Sequence, residues 1–232
     1  MPLSQTPGAW KGSVYLRFMG SWCALQPFIG CLHGNIKWWR APFHKAMSVR
    51  CFMAVECDDE QVLSGFREVG ARLSVTGADL KLVETENVHL TLKFLGEIPE
   101  ARAREVAETV KEIHFQPFSF KVEEVGVFPS TSRPNVVWAG ITDGVTELAA
   151  VFEDLDTRLS RLGFERERRR FSPHLTICRV RSSRNKAQLV AELAELQDMV
   201  FGSVKIDRVT LKKSVLTRQG PIYSTLAESR VE

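Results

Sequence analysis

Two tetrapeptides of this chain, His89-Leu-Thr91-Leu and His174-Leu-Thr176-Ile, carry the same residue types at the same spacing, 85 residues apart. With five histidines and 13 threonines in the whole chain, two copies of His-x-Thr are mildly unusual. In a β-strand, residues two apart share a face, so each copy presents an imidazole beside a hydroxyl. Two such strands facing one another would gather two imidazoles and two hydroxyl donors around one small volume. A phosphate suits that volume. The hydroxyls can donate to non-bridging oxygens, while one neutral imidazole takes a proton and one imidazolium gives a proton. Histidine fits both roles because its ordinary pKa, about 6.5, lies near neutrality. The plainer reading is two half-exposed polar strand faces. A metal site is a third reading, but two histidines are few ligands and neither motif holds an acid, so no metal is expected.

The elements that must position these residues are legible from periodicity. Residues 51–55 are a β-rich apolar run. Residues 58–73 follow as a helix, with acids at the start and Val62, Phe66, Val69 and Leu73 at helical spacing. Residues 88–95 alternate as a strand, with His89, Thr91 and Lys93 on one face and Leu90, Leu92 and Phe94 on the other. Residues 99–113 read as a helix. The second half repeats the rhythm: strands at 118–127 and 136–141, a helix at 144–162 closed by Gly163, a strand at 174–178, a helix at 184–196, and strands at 203–215 and 222–227. The fold class is α+β with antiparallel or mixed sheets. No glycine-rich phosphate loop follows a strand, which removes a dinucleotide or P-loop reading.

Composition narrows the partners. Residues 1–46 hold five Lys/Arg, no acid and four of the five tryptophans, with no sustained period. They are expected to be an extension outside the folded domain of residues 47–232, with Met47 as a natural start. The body then carries 26 basic and 28 acidic residues, so it is not a broadly basic nucleic-acid coat, and any RNA it meets is a short piece or an end. No apolar run approaches the roughly 20 residues a bilayer span needs, and no membrane contact is expected. Five cysteines, an odd number without a CxxC pair, point to a reducing, cytoplasmic setting.

Other residues have two readings each. The run 165–170, Glu-Arg-Glu-Arg-Arg-Arg, is either a solvated loop or a contact to RNA phosphates, with Arg170 nearest the second motif. Lys93, on the first motif's face, could touch phosphate. Phe171 could stack on a base or anchor the core. Trp138 reads as core, and 130–133 as a polar loop at a cleft rim.

Four separated blocks now occur in order: 50–55 (Arg-Cys-Phe-Met-Ala-Val), 88–96 (Val-His-Leu-Thr-Leu-Lys-Phe-Leu-Gly), 133–140 (Arg-Pro-Asn-Val-Val-Trp-Ala-Gly) and 171–179 (Phe-Ser-Pro-His-Leu-Thr-Ile-Cys-Arg). In these blocks the body resembles the two-histidine (2H) phosphoesterase superfamily, specifically the RNA 2′,3′-cyclic phosphodiesterases, also called 2′–5′ RNA ligases. The resemblance implies a bilobal fold of two pseudo-symmetric lobes, with antiparallel sheets lining a central cleft and helices outside. It implies hydrolysis of a terminal 2′,3′-cyclic phosphate to a 2′-phosphate, with ligation as the reverse reaction. Carried over, His89 is the proton donor to the leaving 3′ oxygen and His174 the proton acceptor that activates water. Thr91, Thr176 and Arg179 bind phosphate, and no cofactor is needed. The implied partners are RNA 3′ ends bearing a cyclic phosphate or tRNA-half-like fragments, met by a monomer. Two alternatives stay open: a non-catalytic binder of RNA ends, and a phosphodiesterase of small cyclic nucleotides.

Overall fold

The computed structural model describes residues 47–218 and 220–229; the expectation for residues 1–46 lies outside them. Strand and helix alternate through this body. Strand β1 (Ser48–Glu56) leads to helix α1 (Glu60–Val75), which starts where the Asp59 carboxylate accepts the Val62 amide at 3.1 Å. A short strand β2 (Leu80–Leu82) precedes β3 (His89–Pro99) and α2 (Glu100–Lys111). The hairpin β4 (Phe118–Ser130) and β5 (Arg133–Ile141) is followed by α3 (Val145–Arg161), β6 (His174–Val180) and α4 (Lys186–Glu195). Strands β7 (Val200–Ile206), β8 (Thr210–Leu216) and β9 (Pro221–Glu228) close the chain. Two differences from the sequence reading stand out. Residues 203–215 are two strands in separate parts of the sheet, and β2, three residues long, carries too little alternation to be read from sequence.

All nine strands join one antiparallel sheet, in the order β7-β4-β5-β6-β3-β1-β8-β9, with β2 on β6. The order is symmetric about its centre. On one side lie β3, β1, β8 and β9; on the other lie β6, β5, β4 and β7. The halves meet where β3 pairs with β6 through one register pair, Leu90 with Leu175. The expected two lobes are therefore two ends of a single sheet, pinched at its middle.

Alternation sorts the sheet into two faces. Met53, Val55, Leu90, Leu175, Val137 and Ala139 point to one face and are fully or almost fully buried. All four helices pack on that side: α1 over β7 beside α4, and α2 over β9 beside α3. The other face carries the two histidine motifs. No helix among the described residues is long and apolar enough to cross a membrane.

Candidate active site

The Leu90–Leu175 pair sets the geometry of the site. Both leucines are fully buried on the helix side, so the residues flanking them face the opposite way. In antiparallel register His89 then stands nearest Thr176, and Thr91 nearest His174. The two imidazoles are diagonal neighbours, a relation that separates such side chains by about 7–8 Å. The sheet thus brings together the four motif residues that lie far apart in the chain.

Each imidazole is held in the same way. His89 Nδ1 lies 2.7 Å from the Asn87 carbonyl oxygen, and His174 Nδ1 lies 2.8 Å from that of Ser172. A carbonyl only accepts, so Nδ1 carries the hydrogen in both rings. Nε2 is left as the reactive nitrogen, a base when neutral and an acid when protonated. Aromatic rings fix the orientation. Phe52 and Tyr223 hold His89 at ring-centre distances of 5.0 and 5.3 Å. Phe128 meets His174 edge-on at 5.0 Å, with Trp138 at 6.3 Å. Trp138 is thus a wall of the site as well as a packing residue. Its ring lies over Gly126, where an added Cβ would come within 2.2 Å of it.

Charge around His89 is uneven. Burial holds its pKa below the ordinary histidine value; the bond to Asn87 and the charge of Glu56 act upward, and Lys212 acts downward. Lys212 and Glu56 are themselves an ion pair across β8 and β1. Beside His89, burial raises the Tyr223 phenol while the charges of Arg179 and Arg50 oppose it.

A β-bulge places Arg179. In β6, Val137 pairs with Cys178 and Trp138 with Thr176, so Ile177 is an extra residue. One extra residue shifts the alternation. Arg179 thereby joins His174 and Thr176 on the groove face, although its spacing from Thr176 is odd. Strand β3 has the same bulge at the same place: Met53 pairs with Lys93 and Ala54 with Thr91, leaving Leu92 extra. Here the sequence reading is corrected. Lys93 does not share the face of His89. Its ammonium is buried on the helix side, where it pairs with Asp156 of α3 and donates to the Glu165 carbonyl. Phe94 takes the groove position instead, 66% exposed and 6.0 Å from Phe52. Phe94 is the counterpart of Arg179 in the first half, and simple alternation hid it. The signal that could have found it is the identical spacing of five residues from each histidine.

The remaining expected residues separate. Phe171 lies flat on Phe152 at 4.5 Å and packs against the core, which is the anchoring one of its two readings. Much of the charge run is engaged internally: Arg166 binds Asp156 and Arg169 binds Glu167. Arg170 is exposed in the same loop. Among the described residues, no group of three or more His, Cys, Asp or Glu could hold a metal ion.

Comparison with known proteins agrees with this arrangement. The model of the LigT-like phosphoesterase family matches residues 56–138 and again 141–223, one match for each half. The chain is 42% identical over 153 residues to an RNA 2′,3′-cyclic phosphodiesterase of Aeropyrum pernix, covering 66% of this chain and 87% of that protein. A protein of the same name from Methanothermobacter thermautotrophicus is 36% identical over 191 residues, 80% of this chain and its own entire length. In fold, the chain matches the crystal structure of Escherichia coli LigT with a TM-score of 0.62 at 23% identity, over 78% of this chain and 96% of that one. Two family matches in tandem and close relatives along most of its length show that the chain belongs to the LigT-like phosphoesterases.

Proposed function

We propose that this protein is an RNA 2′,3′-cyclic phosphodiesterase that opens the terminal cyclic phosphate to a 2′-phosphate. The observation that carries this reading is the pair of imidazoles on adjacent strands, each with Nδ1 spent on a backbone carbonyl and Nε2 left for chemistry. Displacement at phosphorus needs a base on the entering side and an acid on the leaving side. His174 Nε2 takes a proton from water as the new P–O bond forms. His89 Nε2–H gives a proton to O3′ as the old P–O bond breaks. Thr91 and Thr176 donate to the non-bridging oxygens, and Arg179 balances the charge that grows on them. The 2′ oxygen keeps the phosphate. With the 5′-hydroxyl of a second end in place of water, the same groups join the two ends through a 2′–5′ linkage: the hydroxyl gives its proton to His174 as its oxygen bonds to phosphorus, and the P–O3′ bond breaks as O3′ takes a proton from His89. The names borne by the relatives support the substrate class, and RNA ends such as tRNA-half-like fragments, met by a monomer in the cytoplasm, complete the reading.

The test is product analysis. Purified protein is incubated with an oligonucleotide ending in a 2′,3′-cyclic phosphate, and the product is compared with authentic 2′- and 3′-phosphate standards. A 2′-phosphate is expected. A 3′-phosphate product, or none, defeats the assignment.

Phe94 adds a role for the nucleobase. An exposed aromatic face beside the phosphate site offers a stacking platform, and such stacking contributes about 1–3 kcal/mol per base. Phe94→Ala is expected to lower kcat/KM on a cyclic-phosphate end by roughly 5- to 150-fold. Because the ring is 66% exposed, the thermal midpoint should hardly move. Steady-state kinetics alongside a melting curve checks both parts, and unchanged kinetics would remove Phe94 from the site.

A further inference from the structure

Two cavities open beside the histidine strands, and their linings are opposite in charge. One, about 380 Å³, borders His89 and is lined by the acids Glu56, Asp58, Glu60 and Glu86 as well as by Arg67 and Lys212. The other, about 310 Å³, lies past the far end of β6 and is lined by Arg133, Arg181 and Lys186 with the hydroxyls of Ser132, Ser182 and Ser183. No acidic residue lines it. Among the described residues none of its three cations is paired with a carboxylate.

Three separate segments build this second cavity. Ser132 comes from the β4–β5 turn and Arg133 from the first position of β5 beside it, Arg181 from the first position after β6, and Lys186 from the first turn of α4. Lys186 Nζ donates to the Ser132 carbonyl at 3.1 Å and ties helix to turn. The Arg181 amide donates to the Asp79 carbonyl at 2.8 Å, which extends the β2–β6 ladder by one residue. Alternation therefore continues, and Arg181 follows Arg179 on the groove face. Lys81 lies opposite Arg179 in that ladder and is paired with Glu84 at 3.7 Å. Arg179 and Arg181 thus lead along β6 from the second motif to this cavity, while the cavity beside His89 is lined by more acids than bases.

We propose that this cavity holds the phosphodiester backbone of single-stranded RNA upstream of the reacting end. The proposal rests on the function given above and sharpens its substrate: an oligonucleotide end in preference to a cyclic mononucleotide. The chemistry is that of phosphate recognition, with guanidinium forks and hydroxyls donating to non-bridging oxygens. The more acidic cavity beside His89 repels the same backbone, so the strand has one favourable direction. From Thr176 to Arg181 is five residues of extended chain, about 16 Å. At about 3.4 Å per stacked nucleotide, that distance is covered by at most about five nucleotides.

The experiment measures kcat/KM for ends of increasing length, from the cyclic mononucleotide to a cyclic-phosphate hexanucleotide. It compares the wild type with the triple variant Arg133→Gln, Arg181→Gln, Lys186→Gln. All three side chains are exposed, so the fold should stand. The wild type is expected to favour the hexanucleotide by about ten-fold or more, and the variant to favour it by about two-fold or less. The variant's mononucleotide rate should equal the wild type's. Its salt dependence on the hexanucleotide should be shallower by about 2 in the log–log slope, from about 0.7 per lost contact. A variant with the wild-type length profile and salt slope overturns the proposal, and so does one equally slowed on the mononucleotide. Should the wild type hydrolyse neither substrate, the assigned activity fails instead. Binding of a fluorescent hexanucleotide with a 2′-phosphate end then tests the cavity alone: equal affinity for the two proteins rejects it, and weaker binding by the variant supports it.

Discussion

Replacing His89 or His174 by alanine is expected to lower kcat by on the order of 10²–10⁴ and to leave the protein folded. Neither ring belongs to the apolar core, and each makes one side-chain hydrogen bond, to a carbonyl two residues earlier in the chain. The loss is therefore catalytic, and a melting curve for each variant should overlay the wild type within a few degrees. Because acid and base act on one displacement, the double variant should be far less impaired than the product of the two single losses predicts. Full activity in either single variant would end the two-histidine mechanism. A bell-shaped dependence of kcat/KM on pH is expected for the same reason, one limb from the base and one from the acid.

The electrostatics of His89 supply a second readout. Burial holds its pKa below about 6.5, the ordinary value. Lys212 pushes it further down and Glu56 pulls it up. In an NMR titration of the imidazole resonances, Lys212→Met should move the His89 midpoint upward and Glu56→Gln should move it downward. A substrate phosphate beside the ring adds negative charge and favours the imidazolium that the donor role requires. Shifts of the opposite sign would show that the Lys212–Glu56 pair does not act on His89.

Removing the Asp156 carboxylate should destabilise the fold by about 3–5 kcal/mol, the usual consequence of leaving one partner of a buried ion pair alone. The side chains of Lys93 and Asp156 are only 8% and 5% exposed. Asp156→Ala strands the buried ammonium with the Glu165 carbonyl as its one remaining partner in this network. Lys93→Met should be milder, since Asp156 keeps Arg166 at 3.1 Å and the Glu167 amide at 3.3 Å. Replacing both residues by apolar ones of similar size should recover much of the loss. The sign with pH follows from the direction of the shift. Burial alone would raise the Asp156 carboxyl, but hydrogen bonds from Lys93, Arg166 and the Glu167 amide outweigh it and hold the pKa below the carboxylate range. Its contribution is then full above about pH 4 and is lost as pH falls through the lower folded value. Denaturant unfolding at neutral and at strongly acidic pH checks both parts. A wild type and an Asp156→Ala variant of equal stability at neutral pH would show that the pair is dispensable. The network also ties the bulge of β3 to the loop that leads into His174, so Asp156→Ala should slow catalysis as well.

Local pattern made much of this protein readable in advance. Two residues of spacing in His-x-Thr are enough to put imidazole and hydroxyl on one strand face, whatever the rest of the chain does. The helical spacing of Val62, Phe66, Val69 and Leu73 likewise foretold α1, and all four are buried in it. Long-range pairing supplied the remainder. Alternation assigned Lys93 to the groove and Phe94 to the core, and the bulge at Leu92 exchanged them. No composition marks such a bulge, because the extra residue is accommodated by the neighbouring strand. Phe171 and the arginine run were ambiguous for a similar reason: Phe152 and Asp156 lie on α3, and only packing of that helix against the sheet brings them near. The meeting of the two motifs was itself an expectation until the Leu90–Leu175 register joined β3 to β6. Face and period are properties of neighbouring residues, whereas register, bulges and ion-pair partners arise between segments that touch after the chain has folded.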